Sequence, residues 1–184
     1  MRQAHIAATI LLVSAALVLG GCNSKTKPTQ ANYSSTLNTY FGEHPDCLLE
    51  GGTRFPYEVG EKPGEGPTQQ QMDALVVAKL LDVHREPAIH VSRYTLTTAG
   101  TRLAPRFCFG HREVTSIESS TPPAPANGFT ETVVTYHYKI GDLPVWAKSA
   151  EITAAFPKFQ QEISGEATDK TTLALTGVGW SVPD

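Results

Sequence analysis

The chain reads as an α+β protein, an antiparallel sheet of about three to five strands with a few helices packed on one face. Three observations point there. From Arg106 onward β-branched and aromatic residues dominate two long runs, 107–117 and 129–140. The segment 121–128 between them is rich in proline and ends in Asn127-Gly128, so the two runs form a hairpin with a protruding loop. A third segment, opening at Thr68, carries a helix-start signature followed by apolar residues at helical spacing.

Taken in order, 40–57 is apolar but broken by Gly51, Gly52 and Pro56, which suits a short strand or irregular wrap ending near Phe55. Residues 61–67 form a glycine- and proline-rich loop. Thr68-Gln-Gln-Gln71 has capping-box form, and Met72, Leu75, Val76, Leu80 and Val83 then line one helical face, with Gln70, Asp73 and Lys79 on the wet side. Pro87 ends that helix. Ile89, Val91, Tyr94 and Leu96 alternate as in a strand before 97–100 turns the chain.

In the run 129–140, Val134, Tyr136, Tyr138 and Ile140 share one face and should meet the core, with Val133, Thr135, His137 and Lys139 opposite. Prolines should keep the 121–128 loop out of any sheet. Ser149 caps a helix over 150–156 ended by Pro157, a second turn or helix runs through 159–163, and Gly165 stops it. The stretch 171–182 is the closing strand.

The segment 74–103 resembles the recognition helix and wing of bacterial winged-helix regulators, whose wing commonly ends in a Y-x-L-T-x-x-G pattern like Tyr94-Thr-Leu-Thr-Thr-Ala-Gly100. The resemblance implies a helix-plus-hairpin module. It does not carry DNA binding with it, because the charge balance excludes a long-range pull on phosphates. The chain holds 15 basic and 18 acidic side chains, and removing the amino-terminal 21 residues takes away only Arg2, leaving a net charge of about −4. Nucleic acid is therefore not an expected partner.

Arg2 followed by the uncharged run 6–18 has the form of a secretory signal, and a run of 13 residues falls short of the roughly 20 that span a bilayer. The run closes on Leu19-Gly20-Gly21-Cys22, which resembles the lipobox of bacterial lipoprotein precursors. The resemblance implies a signal peptide over 1–21, a diacylglycerol on the Cys22 sulfur, and a membrane partner reached through that lipid. Several acyl chains, at about 0.8 kcal/mol per buried CH₂, give a stable anchor. Asn23 lacks the aspartate associated with inner-membrane retention, so the outer membrane, periplasmic face, is the expected address. Residues 22–38 are polar and read as a flexible tether spanning on the order of 20 Å, ahead of a single domain over 39–184.

In an oxidising envelope the remaining two cysteines, Cys47 and Cys108, read as a disulfide bracing that domain. No C-x-x-C spacing suggests redox chemistry.

Five histidines remain after processing, His44, His84, His90, His111 and His137, in none of the spacings that set two metal ligands on one face, so neither metal nor cofactor is expected. No serine stands in G-x-S-x-G, and Ser24-x-x-Lys27 lies in the tether. His111, Arg112 and Glu113 read as a salt-linked strand end. Tyr136, Tyr138, Phe156 and Trp180 read as core, whereas Trp146, following Pro144, is the aromatic best placed for recognition, with the exposed Pro122, Pro123 and Pro125 a second contact. The expected role is a non-catalytic binding or accessory module of the cell envelope, with an envelope protein as partner. The alternative is an envelope hydrolase whose site is assembled from distant residues, a histidine such as His111 or His137 among them.

Overall fold

Two antiparallel sheets, of six and three strands, organise the described residues in a computed structural model, which cover 24–60, 62 and 66–183. With five α-helices among those residues, the class is α+β. There are more strands than expected because 57–96 closes a small sheet of its own.

The larger sheet curls into a half-barrel. Its order is β1 (Asp46–Cys47), β5 (Cys108–Ser120), β7 (Phe129–Gly141), β8 (Ala167–Thr176) and β9 (Gly179–Ser181), with β6 (Ala124–Ala126) also pairing with β7. The smaller one has the order β2 (Tyr57–Val59), β4 (Val91–Leu96), β3 (Leu81–Glu86). The long hairpin of β5 and β7 runs His111↔Gly141 to Ser120↔Val134. Val134, Tyr136 and Tyr138 are buried, as their alternation requires.

Beyond Pro122-Pro123 the hairpin resumes as β6, pairing Ala126 with Phe129 around a tight turn in which Asn127 and Gly128 take positive φ. Pro125 thus lies in a strand, contrary to the expectation that prolines hold this loop out of the sheet. β6 pairs with β7 alone, and an edge strand tolerates a residue with no N–H to offer on its open side.

The concave face is filled by α1 (Gln30–Glu43), which buries Tyr33, Leu37 and Phe41 against Val134, Tyr136, Tyr138, Leu173 and Trp180. This overturns the tether reading for 30–38. Thr29 caps the helix, accepting from Asn32 N at 3.3 Å. The helix is rich in weak helix formers (Asn, Ser, Thr), so the i, i+4, i+8 spacing of three large apolar side chains, and their burial, are what hold it.

α2 (Gln69–Val77) has the full capping box at Thr68 and Gln71 but stops at Val77, short of the expected helix end. Lys79 takes φ 63°, turning the chain into β3, so Leu80 and Val83 leave the helix although their spacing fits it. Pro87 stands in the β3–β4 turn instead of after a helix. A four-residue α3 (Thr98–Thr101) follows β4; a Cβ on Gly100 would lie 1.9 Å from Leu80 O, so only glycine fits. Ser149 caps α4 (Ala150–Ala155), and Pro157 opens α5 (Pro157–Ile163) at a position where its missing N–H costs nothing. The expected closing strand divides into β8 and β9 around Gly177-Val178.

α2, α4 and α5 pack with Leu81, Tyr94, Phe107 and Phe109 into a second core, so the helices do not share one face of one sheet. Ile140, near the end of β7, touches both cores. Cys47 and Cys108, opposite each other across β1 and β5, are joined by a disulfide, at a sequence separation of 61.

Candidate functional site

Arg112, on β5, gathers the charges at the base of the helix-filled half-barrel. Its Nε donates to Asp46 Oδ2 at 3.2 Å and its Nη1 to Asp169 Oδ2 at 2.6 Å, and Glu162 Oε1 lies 3.9 Å from Nη2. The guanidinium lies 4.6 Å from the Tyr138 ring centroid and 5.3 Å from that of Phe41. The side chain is 14% exposed, so the ion pairs are poorly screened. Burial works to lower its pKa, but Asp46 and the hydrogen bond to Asp169 outweigh it and hold Arg112 above its ordinary value. Burial pushes Glu162 up, and Asp46 adds to this against Lys158 and Arg112. Six elements meet here: α1, β1, β5, β7, β8 and α5.

Sequence reasoning placed Arg112 in a salt-linked strand end but missed its partners. The cysteines alone could not have supplied them. Regular pairing from Cys47 opposite Cys108 would set Asp46 opposite Phe109, and only a register shift between Asp46 and Cys47 brings Asp46 opposite Gly110, two residues along the strand from Arg112.

From this cluster a groove follows α1. One depression of about 460 Å³ is lined by Tyr40, His44, Asp46, Arg106 and Arg112 among others. It adjoins a second, of about 630 Å³, where Thr36, Thr39 and Tyr40 face Gly179, Trp180 and Val182. Tyr40, Glu43, His44 and Val182 line both. Tyr40 and His44 stack at 4.0 Å between ring centroids and 16° between planes, an aromatic step at the junction. Thr36 Oγ1 donates to Trp180 O at 3.3 Å across the floor, linking α1 to β9. Among the described residues β9 pairs with β8 alone, so the groove runs beside a sheet edge. Hydroxyl and aromatic walls suit a bound extended chain, through polar contacts and ring stacking.

The outer face of the sheet holds a different constellation. His137 on β7 has Nδ1 2.9 Å from Thr168 Oγ1 on β8, and Nε2 3.7 Å from Glu118 Oε2 on β5. Hydroxyl, imidazole and carboxylate are thus brought together from three strands, but on an open face where His137 and Glu118 are 33% and 53% exposed. His111 lies 3.8 Å from the exposed Asp142 and joins neither group.

Among the described residues no group of three or more His, Cys, Asp or Glu side chains could hold a metal ion. No helix among them is long and apolar enough to cross a membrane. Cys22 lies outside the described residues. Pro122 and Pro123 are exposed at the hairpin break. Trp146 packs partly buried against the second core, and its neighbour Val145, 86% exposed, is the side chain that projects. Tyr136, Tyr138, Phe156 and Trp180 are core residues, as their spacing predicts.

The helix-plus-hairpin order implied over 74–103 is present as α2, β3 and β4, while the described residues between His44 and Thr68 form no helix. Comparison of the chain with protein-family models, with curated proteins and with solved structures finds no match.

Proposed function

We propose that this chain is a lipid-anchored protein of the bacterial outer membrane, facing the periplasm, and acts as a non-catalytic binding or accessory module. Cys22, carrying the lipid, supplies the address, and the sequence Leu19-Gly20-Gly21-Cys22 supports it. The observation that carries the binding role is the groove between α1 and β9, whose walls offer hydroxyls and the Tyr40–His44 stack to an extended segment of an envelope protein. Its test is a photo-crosslinking residue at Ser35, in the groove, compared with one at Glu118 on the outer face, in intact cells. Capture of a defined envelope protein from Ser35 alone, lost when Cys22→Ala removes the anchor, is the expected result. Equal capture from both positions, or none, overturns it.

A second reading, an envelope hydrolase, is favoured by Thr168, His137 and Glu118. There His137 would take the hydroxyl proton while Glu118 steadies the other ring nitrogen. Hydrolysis of an envelope ester or amide that survives Thr168→Ser and disappears in Thr168→Val and His137→Gln would establish it. Unchanged turnover in the last two variants removes it.

A further inference from the structure

Two hairpin tips and the first described residues lie at one end of the half-barrel. Thr130 pairs with Leu175 and Thr176 with Gly179, which sets the β6–β7 tip at Asn127-Gly128 beside the β8–β9 tip at Gly177-Val178. A 3-10 turn, Ser24–Thr26, packs on the same end. A Cβ on Gly179 would meet Lys25 Cβ at 3.2 Å, and Trp180 Nε1 donates to Lys27 O at 3.2 Å. Lys27 O also accepts from Thr29 N and Asn32 Nδ2, each at 2.9 Å. The entry of the chain is therefore fastened to β9.

This end carries apolar side chains that the cores do not use. Val178 is 86% exposed and Phe129 52%, with the exposed Pro125 next to them. Lys25 and Lys27 are exposed beside them, while Glu131 accepts from Asn127 Nδ2 at 3.2 Å and is engaged in its own turn. Apolar groups on tight turns, flanked by lysines, are what the headgroup and acyl boundary of an anionic bilayer accepts.

We infer that this end of the half-barrel is a bilayer-contact site, in which Val178 and Phe129 enter the headgroup and acyl boundary and Lys25 and Lys27 meet anionic phospholipid headgroups. The inference rests on the reading of Cys22 as the lipidated residue. Only Asn23 separates Cys22 from Ser24, so the two are two residue steps apart, about 7 Å of fully extended chain at most. With 25–27 fastened to β9, the acyl chains hold the tips against the membrane in place of a long free tether. The groove along α1 then rises from the bilayer, and Arg112 marks its distal end.

The test uses the full acylated chain in vesicles of phosphatidylethanolamine and phosphatidylglycerol. Val178→Cys and Val145→Cys are each labelled with an environment-sensitive fluorophore. The two valines are equally exposed, at 86%, and Val145 lies past the opposite end of β7, roughly 40 Å away at the usual rise per residue. Both sit outside the cores. The expected result is at least a doubling of emission, with a blue shift, from the label at 178, quenched by spin-labelled acyl chains, and no change at 145. Both labels remaining aqueous while the protein floats with the vesicles overturns the contact site and leaves the anchor standing. Shielding at 178 that follows protein concentration and ignores the spin-labelled lipid assigns the tips to a second copy and also overturns it. The mass of the Cys22 peptide from the same sample tests the anchor separately, and an unacylated Cys22 overturns that reading itself.

Discussion

Arg112 on β5 reaches across β7 to Asp169 on β8, Nη1 to Oδ2, at 2.6 Å. Tyr136, on the intervening strand, has its hydroxyl 3.4 Å from the same nitrogen and 3.1 Å from Thr171 Oγ1. The contact ties three neighbouring strands, and Asp46 brings in the disulfide-bearing β1. Removing the cation leaves the largely buried Asp46 and Glu162 facing each other and the half-exposed Asp169 without its partner. Arg112→Met is expected to cost about 3–5 kcal/mol in chemical denaturation, the range for breaking a buried ion pair by losing one partner. Arg112→Lys should recover only part of it, since an ammonium cannot serve both carboxylates while lying over Tyr138. Full recovery by lysine would show that charge alone matters.

Glu162 gives the cluster a pH dependence. Its folded pKa is raised by burial and by Asp46, so its contribution to stability is fully present below the ordinary carboxylate value and is lost as pH rises through the raised one. Glu162→Gln removes this titration while keeping the shape. Urea midpoints should show the variant gaining on the wild type as pH rises above the ordinary carboxylate value. A variant-minus-wild-type difference that stays constant or falls over that rise contradicts the assignment.

The disulfide closes a sequence separation of 61, and the chain-entropy relation puts its contribution near 4 kcal/mol. Cys47→Ser and Cys108→Ser are expected to lose similar amounts, and the double variant little more, because either one already opens the loop. Additive losses would mean that each sulfur acts through its own packing.

Tyr33, on the buried face of α1, has a hydroxyl with no well-formed hydrogen bond among the described residues, because the neighbouring Thr132 donates to Thr121 O at 2.7 Å and offsets the burial of the phenol only in part. Burial raises the Tyr33 phenol pKa accordingly. Tyr33→Phe should be neutral or stabilise by up to about 1 kcal/mol, because the desolvated group is removed and nothing is left unpaired. A clear loss would indicate an internal water held by that hydroxyl.

Tyr94 is the last phenol expected to ionise. Burial first, then Asp73, whose Oδ1 accepts its hydroxyl at 2.8 Å, push it up to about 12. In alkaline spectrophotometric titration the step near pH 12 should vanish in Tyr94→Phe. Stability drawn from this group is complete below the ordinary phenol value and falls as pH climbs through the raised one.

Whatever depends on local pattern was legible in the chain alone. Alternation along 129–140 named the buried face of β7, Thr68 and Gln71 announced the start of α2, and Ser149 announced α4, because turns, caps and period-two faces are set within a few residues. Tertiary contact decided the rest. α1 is helical because Tyr33, Leu37 and Phe41 find the concave side of a sheet whose strands lie some 60 to 150 residues farther on, so 30–38 resembled a polar tether when taken alone. Leu80 and Val83 matched a helical face, yet β3 won because β4 could pair along its whole length. Asp46, Arg112, Glu162 and Asp169 meet only when β1, β5, β8 and α5 have all arrived. Opposite charges scattered along a chain carry no sign of that meeting, since their attraction becomes strong only at the short range and partial burial that folding creates.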